Sequence, residues 1–189
     1  TQIYGNNLTV EGTGNCVGAI GGYLYSGRMK LNDITIENSN ITGNDNTGGI
    51  TGHLICYNIT NVKTRNNNVS GKSNVGGVAG RFQVNDVLEK VVVDSCNIKG
   101  KGAQIGGVAG YVISNNHLHY VNVFNSHIEG ISVNSSNVGG ISGSAGFVYY
   151  FQIIDTKVQS KGSYVGGVIG NNGNAINTGY VSGVTVEGS

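Results

Sequence analysis

The chain has 189 residues, of which 33 are glycine and none proline; charged residues make up only 11% and the formal net charge is +1. That balance, with no basic cluster, argues against a nucleic-acid partner, and no apolar run approaches the roughly 18 residues of a membrane-spanning helix, so no membrane insertion is expected. High glycine with low charge also fits low-complexity sequence, but the apolar residues are β-branched and regularly spaced, unlike those of disordered segments.

In chain order, residues 1–12 end in NNLTVEG and read as part of a first coil. The phrase [VIT]-G-[GA]-[VI]-x-G then recurs, beginning at Val17, Thr47, Val75, Ile105, Val138 and Val165. These starts are 30, 28, 30, 33 and 27 residues apart, the self-similarity of a repeat architecture. Each copy is followed by a short strand-like run, such as Tyr111-Val112-Ile113, and then by a β-rich segment. Residues 31–43, 59–71, 88–100 and 118–130 share the pattern h-x-x-h-x-h-x-x-x-x-h-x-G, whose central h-x-h is strand alternation. Residues 181–188 (VSGVTVEG) read as the second half of a last coil. No stretch sustains helical spacing, and Asn, Gly and β-branched residues favour strands and turns.

Stacking one repeat on the next, about 4.8 Å apart, produces columns. Val17, Thr47, Val75, Ile105, Val138 and Val165 form one apolar column; Ile20, Ile50, Val78, Val108, Ile141 and Val168 form a second. Ile41, Val69, Ile98, Ile128 and Val158 form a third. One coil cannot bury its apolar face alone, and stacked neighbours do so. The sequence therefore predicts an all-β fold, a parallel β-solenoid (β-helix) of about six coils of 27–33 residues. We expect one domain over residues 1–189, a segment of a longer protein. The first two columns are three residues apart, which alternation would send to opposite faces. The Gly-Gly pair between them is expected to make a corner or bulge with backbone angles closed to other residues. Asn46, Asn74 and Asn137 precede the motif in a column suited to an amide ladder. Glu37, Arg65 and Asp94 share a position with alternating sign.

The motif and its period resemble the GLUG repeat, over essentially the whole chain. That repeat occurs in large secreted or surface-attached bacterial proteins, among them IgA1-specific metallopeptidases and adhesin-like proteins. The resemblance implies a β-solenoid and an extracellular or cell-surface location. It carries over no catalytic residue: the metallopeptidase zinc motif is H-E-x-x-H, and none of His53, His117, His119 or His127 begins one.

Residues that could carry chemistry are few. Polysaccharide-cleaving β-helices need clustered carboxylates, whereas Asp33, Asp86, Asp94 and Asp155 fall in different coils and columns. His117, His119 and His127 share one repeat, but exposed histidines are the expected reading over a metal site. A phosphate loop needs a helix after its glycines, and none follows. Cys16, Cys56 and Cys96 are odd in number and lack a CxxC, so buried or turn-lining thiols are expected rather than zinc or redox chemistry. No cofactor and no metal are expected. The Asn-x-Ser/Thr triplets at Asn7, Asn40, Asn58, Asn68 and Asn134 fit chance in a chain of 26 asparagines.

The aromatic residues single out a surface. Tyr120, Tyr150 and Tyr180 read as one column in three consecutive coils, just before Val121, Phe151 and Val181 and flanked by His119 and Tyr149. Exposed tyrosine rows suit sugars or proteins, and they also support neighbouring strands. A second column is Tyr23, His53, Arg81 and Tyr111. The GLUG resemblance, together with the lack of any catalytic cluster, implies a non-catalytic extracellular module of a bacterial surface or secreted protein — a stalk, spacer or adhesive domain — with a host or neighbouring protein or glycan as partner. The alternatives are a glycan-active β-helix enzyme, or a filament subunit that self-associates end to end; ice binding lacks the long threonine column it needs.

Overall fold

A computed structural model describes residues 2–25, 30–84, 87–113, 115–144, 146–171 and 174–188. It is a parallel β-solenoid without a helix among the described residues. Each coil visits four sheets in order, here called the first to fourth faces. The first face stacks Ile3–Asn6, Lys30–Glu37, Asn58–Arg65, Val87–Asp94, His117–Phe124, Phe147–Ile154 and Ile176–Ser182. The second is a row of three- or four-residue strands from Thr9–Glu11 to Thr185–Glu187. The third is built from the first two residues of each motif, a Val, Thr or Ile followed by Gly, from Val17–Gly18 to Val165–Gly166. The fourth runs from Gly21–Tyr25 to Ile169–Asn171. All pairings are parallel and join each coil to its neighbours, as in Val75↔Ile105 and Val69↔Ile98.

The three expected columns line the interior. Val75, Ile105 and Val138 of the first, Ile50, Val78, Val108 and Ile141 of the second, and Ile41, Ile98, Ile128 and Val158 of the third are fully buried. Thr47 keeps its place in an apolar column because its hydroxyl donates to the Asn44 carbonyl at 3.1 Å. First-face residues such as Val62, Val91 and Val121 and fourth-face residues such as Leu54, Phe82 and Val112 complete the core.

The corners are made differently from expectation. No motif glycine among the described residues has a positive φ; the left-handed residues are mostly polar and lie elsewhere. One set, including Asn46 (φ 51°), Asn74 (φ 51°) and Asn137 (φ 57°), precedes the motif. Another lies inside the first-face strands: Asp33, Asn61, Lys90, Tyr120, Tyr150 and Thr178, with φ between 49° and 56°. That single left-handed residue is a bulge. It lets Leu88 and Val91, three apart, both point inward. The motif glycines are required by proximity instead. A Cβ at Gly76 would lie 2.6 Å from the Val108 carbonyl oxygen and 2.7 Å from the Ala109 Cα in the next coil, where backbone is packed against backbone. The Asn ladder forms between Asn46 and Asn74, where Asn74 Nδ2 donates to Asn46 Oδ1 at 2.8 Å, and does not extend to Asn137, whose Oδ1 is buried without a hydrogen-bond partner.

The turn between the first and second faces holds a buried polar ladder that hydropathy spacing does not reveal. Ser39, Asn67, Cys96, Ser126 and Thr156 are nearly inaccessible and occupy equivalent positions. Each side chain answers backbone groups that the turn leaves unpaired. Ser39 N–H donates to Asn67 Oδ1 at 2.9 Å, Asn67 Nδ2 to the Ile36 carbonyl at 2.8 Å, and Cys96 N–H to Ser126 Oγ at 3.1 Å.

Candidate binding site

The outward side of the first face changes character along the solenoid. In its early coils it is polar. Asn61 Nδ2 donates to Asp33, Thr60 Oγ1 donates to Glu89 at 3.3 Å, and Arg65 meets Asp94 at 3.4 Å. Glu37 is held by the Tyr4 hydroxyl rather than by Arg65. In strands His117–Phe124 and Phe147–Ile154 the same positions carry rings. Strand pairing sets His117 beside Phe147 and His119 beside Tyr149.

These rings form one field. Tyr120 and Tyr150 stack nearly parallel, with centroids 5.1 Å apart and planes 12° from each other. His119 meets Tyr149 edge-on at 5.0 Å, and approaches Tyr120 and Tyr150 edge-on at 6.4 and 6.3 Å. His117 contacts Phe147 at 4.8 Å, and Phe147 lies parallel to Tyr149 at 6.1 Å. Edge-to-face and offset contacts of this kind hold aromatic side chains in fixed orientations. Four of the five residues singled out by sequence, His119, Tyr120, Tyr149 and Tyr150, are therefore in one cluster.

Tyr180 is not in the same column. It pairs with Gln152, and Val181 pairs with Ile153. Gly179 stands opposite Phe151, and the bulge position after Tyr120 and Tyr150 is Thr178. The reason is steric: a Cβ at Gly179 would collide with the Phe151 ring, so the glycine lets that ring lie across the strand. The last coil thus begins its first-face strand at Ile176, not at 181. The signal was present in the spacing back from the final Val186-x-Gly188. Tyr180 still borders the field diagonally, and encloses an open cavity of about 450 Å³ with Tyr120, Asn122, Tyr150, Phe151, Gln152, Thr178 and Gly179.

The two tyrosines of the stack have an unusual backbone. Asn and Asp reach the left-handed region readily, and Asp33 and Asn61 use it in the early coils. Tyr120 (φ 52°) and Tyr150 (φ 53°) do so with bulky rings. Such a placement costs about 1–2 kcal/mol relative to right-handed geometry. Yet both remain about half exposed, at 49% and 50%, so they do not fill the core.

The comparisons with known proteins bear on the fold. The solenoid superposes on a crystal structure described as a "putative immunoglobulin A1 protease from Bacteroides ovatus", with a TM-score of 0.51 and 14% identity. The alignment covers 97% of this chain and 57% of that one, so the chain spans little more than half of its structural neighbour. No family model and no curated protein matches the chain. At 14% identity the likeness is one of fold.

The remaining candidates disperse. His117 and His119 lie 5.8 Å apart within the aromatic field, whereas His127 sits on the second face between Asn97 and Lys157. Among the described residues no group of three or more His, Cys, Asp or Glu is arranged to hold a metal. Asp33 and Asp94 are in the side-chain contacts above, Asp155 lies at the turn beside Gly183, and Asp86 lies outside the described residues. Cys56 and Cys96 are buried and Cys16 is partly so; none is disulfide-bonded. Burial pushes the Cys56 thiol up to about 12, and it raises Cys96 as well. The second aromatic column forms on the fourth face, with Tyr23 edge-on to His53 at 4.9 Å and the Arg81 guanidinium 5.4 Å from the Tyr111 ring centre.

Proposed function

We propose that this chain is a non-catalytic repeat module of a secreted or surface-exposed bacterial protein, and that the aromatic field of its first face is a binding surface. The observation that carries the binding surface is the left-handed, half-exposed Tyr120–Tyr150 stack. Its rings neither relax the backbone nor fill the interior, and backbone strain retained at exposed residues is a mark of a working site. Fixed aromatic rings offer contact area at low entropic cost. The GLUG-like motif and the fold likeness to a protein described as an immunoglobulin A1 protease support the secreted or surface location. Any proteolytic activity of the parent would then lie outside these residues. The carboxylates support a non-catalytic reading: Asp94, Glu129 and Glu187 are engaged by Arg65, Lys99 and Lys157 in the ladders between coils.

A panel of immobilised polysaccharides and glycoproteins tests both halves of the proposal. The expected result is retention on one class of ligand with no product released. Release of reducing ends or unsaturated sugars overturns the non-catalytic reading. Absence of retention on every member overturns the binding surface.

A further inference from the structure

The tyrosine column is interrupted at its third member, and the interruption has a shape. One face of the Tyr150 ring is covered by Tyr120. The other points along the solenoid axis toward Thr178, the next residue of the same bulge column. A tyrosine at 178 would cover that face as Tyr150 covers Tyr120. Instead the chain places a small hydroxyl side chain there, a glycine at 179, and the next ring at Tyr180, two residues further on and opposite Gln152. The result is the cavity of about 450 Å³ described above, within the range of about 300–1,000 Å³ typical of small-ligand sites.

We propose that this slot binds one neutral pyranose residue of a glycan, with the free face of Tyr150 as its floor. The proposal rests on the reading of the aromatic field as a binding surface and names its ligand. A pyranose ring has an apolar C–H face and a rim of hydroxyls. The Tyr150 ring matches the face. The rim meets the Asn122 and Gln152 amides, each of which offers both a donor and an acceptor, and the hydroxyls of Thr178 and Tyr180. Among the described residues, no Asp, Glu, Lys, Arg or His lines the slot. Phosphate, sulfate and carboxylate groups are recognised by charge-assisted bonds from Arg or Lys, so an anionic sugar has nothing to hold it here. A protein side chain would meet an open, polar-rimmed recess rather than the desolvated pocket a hot-spot anchor uses. His119, edge-on to both stacked tyrosines, and Tyr149, edge-on to His119, fix the floor before a ligand arrives, which reduces the entropy lost on binding.

The test adds the missing ring. Thr178→Tyr places a tyrosine at a left-handed position of the kind that already accepts Tyr120 and Tyr150, and it fills the slot. Gln152→Leu, at an exposed residue, removes rim hydrogen bonds without adding a ring. Saturation-transfer and amide-shift NMR are read with methyl glycosides of glucose, galactose, mannose and N-acetylglucosamine, and with methyl glucuronide as the charged control. Expected is binding of at least one neutral glycoside, with shifts at Tyr150, Gln152 and Thr178. Both variants should weaken it on the order of tenfold or more, about 1.4 kcal/mol, at an unchanged melting temperature. Wild-type-like binding by both variants overturns the slot, as does tighter binding of the glucuronide or no binding of any glycoside by the wild type. If the slot variants still bind a polysaccharide that Tyr120→Asn/Tyr150→Asn no longer retains, the slot is wrong and the wider surface stands. If neither set of variants affects retention, both fail.

Discussion

The first face is one sheet with two surfaces. In Lys30–Glu37 and Asn58–Arg65 its outward residues are Asn, Thr, Lys, Arg, Asp and Glu, and its bulge residues are Asp33 and Asn61. In His117–Phe124 and Phe147–Ile154 the corresponding outward residues include His117, His119, Phe147 and Tyr149, and the bulge residues are Tyr120 and Tyr150. The register, the inward-facing positions and the left-handed φ are shared by the two, although the inward residue grows from Val62 to Phe151. What the backbone requires is therefore met in both halves, and the rings are an addition. In the polar half the bulge residue is the one the conformation prefers; in the aromatic half it is not. On the proposed reading, that contrast separates residues retained for folding from residues used for recognition.

The largest effects should ignore the contrast. Gly49→Val lies in an early coil and Gly107→Val in a coil of the aromatic half; in each, the new Cβ would collide with a carbonyl oxygen of the next coil. Both should lose more than about 3 kcal/mol, a fall on the order of 10 °C in melting temperature for a chain of this size. Tolerance of one but not the other in thermal melts would show that the halves do not share a frame.

The next effect distinguishes the cores beneath them. Val62→Ala, under the polar half, removes two carbons from a fully buried side chain and should cost roughly 1.6 kcal/mol, at about 0.8 per carbon. Phe151→Ala, under the aromatic half, empties a larger volume beside Gly179 and should cost about 3 kcal/mol. Chemical denaturation orders the two; a smaller loss at Phe151 would mean its ring is not part of the packed interior.

A smaller effect is expected from moving the polar chemistry across. Tyr120→Asn/Tyr150→Asn gives up a ring stack worth about 0.5–1.5 kcal/mol and gains a residue suited to the left-handed region. The two terms nearly offset, so the melting temperature should move by only a few degrees. A collapse comparable to Phe151→Ala would make the stack structural.

The smallest effect is in pH. Burial, aided by the Arg81 charge, lowers the His53 pKa in an early coil. Burial also lowers that of His127 in the aromatic half, against the opposing charge of Glu129 and with Lys99 and Lys157 adding to it. Both pKa values are depressed on folding, so the unfolded chain takes up the proton first. Stability is then full above the unfolded value near 6.5 and falls as the pH drops through it toward the folded values. The melting temperature should decline from about pH 7.5 to about pH 5.5, and His53→Gln and His127→Gln should each flatten part of that slope. An unchanged slope in both variants would remove the histidines as its source.

Much of this was legible in the sequence, for a physical reason. Val75, Ile105 and Val138 must coincide for a coil to bury its apolar side, so the period alone aligns them. His119, Tyr120, Tyr149 and Tyr150 follow from the same alignment. The failures come where local backbone geometry, not burial, decides. The repeat pattern points to left-handed φ at the Gly-Gly pairs, whereas the chain uses the residue before the motif (Asn46, Asn74, Gln104, Asn137 and Tyr164) and a bulge within the first-face strand; the glycines answer interstrand proximity, which no single repeat reveals. Tyr180 lies outside the column that apolar spacing suggests because Gly179 occupies a position where other coils have Val121 and Phe151, and an apolar pattern does not register a glycine. The Ser39–Thr156 ladder is not legible in the sequence because Ser, Asn, Cys and Thr share a hydrogen-bonding task rather than a hydropathy.

The most direct test of the contrast is retention of wild type and Tyr120→Asn/Tyr150→Asn, compared on the same immobilised polysaccharides and glycoproteins under conditions where both are folded by circular dichroism. A binding role for the rings predicts that the wild type is retained on at least one ligand and the variant is not. Equal retention of the two proteins would contradict it and leave the tyrosines as supports of the sheet.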